Sequence, residues 1–97
     1  MDTNLEKRHL QQMQLSLGSY PASVSSLGRM VAELEALHAL LGSRDDTWKK
    51  RFYGQWASLE EVFAVALDRQ MEALDEEGNR IVSAAIFELR AIVDEAL

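Results

Sequence analysis

Val24, Leu27, Val31, Leu34, His38 and Leu41 follow one another at alternating gaps of three and four residues. An α-helix turns once every 3.6 residues, so these side chains share one face; a strand would need gaps of two. Met30 and Leu37 widen the stripe, and Leu40 falls away from it. Ser23 or Ser25 can cap the start, because a side-chain oxygen there accepts from a free first-turn amide. Gly42 is the natural stop. A helix with one such apolar face must bury it against another element, which points the whole chain toward a packed helical fold.

The same periodicity recurs on both sides. From about Asn4 to Leu17, Leu5, Met13 and Leu17 fall at helical spacing, with His9 between them. Gly18 ends this segment and "GSYPAS" reads as a loop. The alternation "MQLSL" also fits a short extended piece, so the N-terminal segment alone admits a second reading. After "GSRDD", with Asp45 or Asp46 as cap, Trp48, Phe52, Trp56, Leu59, Phe63 and Leu67 share a face and predict a helix to about residue 71. Gly54 sits inside it, and Ser58-Leu-Glu-Glu61 resembles a capping box. One continuous helix with local distortion at Gly54 is expected. A fourth helix starts near Asp75, where Asp75, Glu76 and Glu77 suit the positive end of its dipole. Its wide apolar arc (Ile81, Val82, Ala85, Ile86, Leu89, Ile92, Val93, Ala96) implies burial against two neighbours. The expectation is an all-α fold: a compact antiparallel bundle of four helices, with residues 1–97 forming a single helical domain.

Composition narrows the chemistry. There are no cysteines among the 97 residues, which removes disulfides, thiolate metal sites and cysteine nucleophiles. The N-terminal stretch has no apolar run of the signal-peptide kind. No apolar stretch approaches the roughly 18 residues a membrane span requires. These features set the expectation of a cytoplasmic protein without a membrane partner. A glycine-rich phosphate loop and a Ser/His/Asp set are both missing from the sequence, so neither enzymatic activity nor a cofactor is expected. Charge is uneven. Residues 1–57 carry six acids and seven bases, whereas residues 58–97 carry ten acids and three bases, within a total of −6. Such an acidic half repels phosphate and attracts basic surfaces, so nucleic acid is not an expected partner and a basic protein is.

Four groups of residues are candidates for function. The stretch "TWKKRFYGQW", Thr47 to Trp56, mixes aromatics with bases. Helical geometry puts Trp48, Phe52 and Trp56 on the core face and turns Lys49, Lys50 and Arg51 mostly elsewhere, leaving Tyr53 as an exposed contact. Glu6/His9 and Glu35/His38 each match Glu-x-x-His. In some four-helix bundles that pattern joins further glutamates, here Glu60 and Glu88, in a carboxylate-bridged di-metal site. The competing reading makes His38 a core histidine hydrogen-bonded to a neighbour and His9 a partly exposed one. Glu61 and Asp68 lie seven apart on one side of the third helix, and Glu72 extends that acidic line. Phe87 falls on the polar side of the fourth helix. The leading expectation is a protein–protein interaction module using Tyr53, Glu61, Asp68, Glu72 and Phe87. Its partner would be another, basic protein, in the manner of small acidic immunity-type inhibitors, adaptors or secretion chaperones, an analogy of class alone. The alternatives are a self-associating homodimer built on Phe87 and the di-metal bundle.

Overall fold

A computed structural model describes residues 3–42 and 45–97 and shows four helices: α1 (Thr3–Gly18), α2 (Val24–Ala39), α3 (Asp46–Asp68) and α4 (Glu76–Ala96). α1 packs on α2 and α4, and α3 packs on the same two, so the helices form a ring around one core. Connections are short, and neighbours run antiparallel. The result is a rod of 44 × 20 × 19 Å. The α1–α2 and α3–α4 turns meet at one end, where the Val24 amide donates to the Glu72 carbonyl at 2.9 Å. Tyr20 strengthens this junction by donating its hydroxyl to Asn79 Oδ1 at 2.6 Å.

Three helix starts are fixed by side-chain caps. Ser23 accepts from the Ser26 amide, Asp45 from the Trp48 amide and Asp75 from the Gly78 amide. Of the two candidate caps at each of the first two sites, Ser23 and Asp45 are used. α3 is unbroken through Gly54, and Ser58 lies inside it. The capping-box pattern is overridden because the surrounding turns already supply the Ser58 region with helical backbone partners and a buried face.

Helix ends depart further from expectation. Neither Gly18 nor Gly42 takes a left-handed conformation; that position falls to Gln70, with φ of 55°. α3 stops at Asp68, earlier than its apolar pattern suggests. The Met71 amide donates to the Ala66 carbonyl at 2.9 Å and the Gln70 amide to the Leu67 carbonyl at 3.0 Å. This pair of bonds is the Schellman arrangement, with glutamine where glycine is usual.

The core is apolar among the described residues. α2 buries its stripe as expected, with His38 half-buried and Leu40 exposed. In α1 the buried residues are Leu10, Met13 and Leu17, while Leu5 is 47% exposed. At about 100° per residue, Leu10 lies within about 60° of both Met13 and Leu17, and Leu5 is further round. In α3 the buried seam runs Phe52, Trp56, Leu59, Phe63, Ala66, in steps of four and three; Phe63 is half-buried and Leu67 is 56% exposed. That is the 3.5-residue period of helices packed at a shallow angle, and it carries the seam through Ala66 and not Leu67. Ile81, at the edge of the α4 arc, is also exposed.

The two tryptophans tie α3 to both neighbours. Trp48 Nε1 donates to the Ile92 carbonyl of α4 at 3.1 Å. Trp56 Nε1 donates to the Val31 carbonyl of α2 at 2.9 Å. Phe63 fills the space left by Gly28, where a Cβ would lie 2.5 Å from its ring. No helix among the described residues is long and apolar enough to cross a membrane.

Candidate functional site

A concavity of about 450 Å³ lies between the second half of α3 and the first turns of α4. Ala66 and Gly78 face it, and a Cβ on Gly78 would stand 3.1 Å from Asp75 Oδ1 and 3.5 Å from Val62 Cγ1. Val62, Val65, Met71, Leu74 and Ile81 supply an apolar floor, and Val65 and Ile81 are exposed. Glu61, Asp75 and Glu77 stand on the rim with Arg69 as the single base. Residues 60–77 carry seven acids against that one arginine, so the cleft lies in the most acidic part of the chain.

The sequence-expected residues fall on three separate surfaces. Glu61 lines the α3–α4 cleft. Asp68 is the last residue of α3, and Glu72 lies in the following turn; both are exposed, and neither lines the cleft. Tyr53 is 58% exposed and leans on Trp56, with ring centroids 5.3 Å apart. It borders a smaller apolar hollow with Glu35, His38, Ala39, Phe52 and Trp56, in the α2–α3 seam. Phe87 is 71% exposed on the outer face of α4, beside a shallow depression that includes Tyr20, Ile86 and Ala91. The floor residues Val65, Met71, Leu74 and Ile81 were not singled out as functional in the sequence. Their sequence signal was apolar residues interleaved with acids around the α3–α4 turn.

The aromatic–basic stretch divides as expected, with one refinement. Trp48, Phe52 and Trp56 are buried. Among the bases, Arg51 makes two hydrogen bonds to Glu95, at 2.9 and 3.2 Å. That hydrogen bonding, and then the arginine charge, hold the Glu95 carboxyl below its usual range. Lys49 is half-buried and donates to the Gly42 carbonyl at 3.3 Å.

His38 stacks on Phe52 with centroids 4.8 Å apart, at an interplanar angle of 16°. Its Nε2 is buried without a hydrogen-bond partner. Burial, followed by the nearby Lys49 charge, lowers its pKa below 6.5, against a smaller opposing effect of the Lys49 backbone. The simpler reading expects a core histidine hydrogen-bonded to a neighbour; His38 is instead half-buried against Phe52, and its Nε2 lacks that bond. The di-metal arrangement is not assembled: no group of three or more His, Cys, Asp or Glu suited to a metal ion occurs among the described residues. Glu35, Glu60 and Glu88 all point into solvent, and His38 is committed to its aromatic stack. Compared with protein-family models, with curated proteins and with solved structures, the chain shows no significant match.

Proposed function

We propose that this chain is a non-catalytic interaction module that takes a basic segment of another protein into the α3–α4 cleft. The observation that carries this reading is the pairing of an apolar floor with an acidic rim. Each part has a distinct role. Desolvating Val65, Leu74 and Ile81 supplies affinity, since buried apolar anchors dominate most interfaces. The carboxylates steer a basic partner in and reject acidic ones, acting more on association rate and specificity than on affinity. Inhibition of a basic enzyme and escort of a basic client both use a surface of this kind.

The test begins with a partner isolated from the native host using the full chain as bait, followed by titration calorimetry on the purified pair. Glu61→Lys combined with Glu77→Lys on the rim is expected to weaken binding by roughly tenfold or more, as is Val65→Asp on the floor. Asp68→Lys with Glu72→Lys, outside the cleft, is expected to cost less. Equal affinity for wild type and both cleft variants would rule the reading out.

A further inference from the structure

The outer face of α4 carries a pattern that the cleft does not use. Phe87 lies at its centre, nearly opposite the buried line Gly78, Val82, Ala85 and Leu89. Arg80 and Asp94 each lie seven residues from Phe87, one on either side, on the same helical face and about 10 Å away along the axis. Ala84 and Ala91 flank the phenylalanine, and both are exposed. Arg80 has no ion pair among the described residues. Asp94 accepts from Gln14 Nε2 through Oδ1, which leaves its second carboxylate oxygen as an acceptor.

We infer that this face binds a second copy of the chain, α4 against α4 in antiparallel register about a two-fold axis beside Phe87. A two-fold contact is self-complementary, so whatever lies seven residues before the axis meets whatever lies seven residues after it. Arg80 of each copy therefore meets the partner's Asp94, and the pair is formed twice. Each Phe87 ring leaves water by entering the depression beside the partner's Phe87. Ala84 and Ala91 let the helix axes approach closely enough for this, at the 8–10 Å typical of packed helices.

Charge along the rod selects the antiparallel direction. The acidic corner, residues 60–77, lies at the α3–α4 end, while the opposite end mixes Lys7, Arg8, Lys49, Lys50, Arg51 and Arg90 with Glu6, Glu35, Asp45, Asp46, Glu88, Asp94 and Glu95 and is close to balanced. Antiparallel pairing separates the two acidic corners and sets each beside the partner's less acidic end. Parallel pairing would bring the acidic corners together and place Arg80 against the partner's Arg80.

Sedimentation equilibrium on the full chain tests this. Wild type is expected to move from the 10.9 kDa monomer to a dimer as concentration rises, and Phe87→Asp is expected to abolish the change. Arg80→Asp and Asp94→Arg should each weaken the dimer by roughly tenfold, as truncating or reversing a close interfacial pair does. The double variant should restore it. Its net charge is that of wild type, so the rescue reports register and not total charge. Helical melts confirm that each variant is folded, and the rescue does not depend on the Phe87 variant. A strict monomer up to about 1 mM, where a millimolar Kd already shows, would overturn the inference. So would an assembly larger than a dimer, a dimer that survives Phe87→Asp, or a double variant no tighter than the single ones.

Discussion

Gln70 holds the one left-handed backbone position outside glycine among the described residues. A side chain with a Cβ in that region costs about 1 kcal/mol relative to glycine, and the two Schellman hydrogen bonds compensate for it here. Gln70→Gly is therefore expected to stabilise the protein by up to about 1 kcal/mol in urea unfolding; an unchanged or lower midpoint would contradict this account of the α3 end. The sequence hid this stop because its usual marker, glycine, is missing and Leu67 prolongs the apolar pattern. His38 offers a second test at the same scale. Its folded pKa lies below 6.5 because burial disfavours the charged ring. The unfolded chain then takes up the proton more readily, so the associated stability is complete above about pH 6.5 and is lost as pH falls through the folded value. An imidazole NMR titration should place the His38 midpoint below 6.5, and His38→Phe should flatten the fall in melting temperature over that interval. A midpoint at or above 6.5 would remove the burial argument.

At the level of elements, α1 gives the sharpest contrast. Its sequence admitted an extended alternative and placed Leu5 on the core stripe, yet α1 is a complete helix that buries Leu10 at 1% exposure. Leu10→Ala is expected to cost about 2–5 kcal/mol, the range for a fully buried leucine truncated in a packed core. Leu5→Ala should stay within about 0.5 kcal/mol, as exposed positions usually do. Paired denaturation curves distinguish the two, and equal losses would place Leu5 in the core after all. The α3 seam holds the same lesson. Single-helix geometry at 3.6 residues per turn sets Ala66 and Leu67 about equally far from the middle of the stripe. Packing against two neighbours runs the seam at 3.5, and Ala66 takes the place. Period is a property of one helix, whereas the drift of a seam comes from its partners.

For the whole molecule, the net charge of −6 is a poor description of a rod whose residues 60–77 alone hold seven acids and one base. The cleft at that end lies on one side of α4 and the proposed self-complementary face on another, so the two proposals draw on separate surfaces. The number of helices, the start of α4 near Asp75, the burial of Trp48, Phe52 and Trp56 and the exposure of Tyr53 and Phe87 were legible in the chain. Caps and amphipathic stripes act over a few residues, so their physics is local. The sequence could not show that Tyr53, Glu61 and Phe87 stand on three different surfaces, or that Val65, Met71, Leu74 and Ile81 gather as the floor of one cleft. Those relations depend on which helices are neighbours and on how closely Gly28 and Gly78 let them approach, and only the packed ring of four helices decides both.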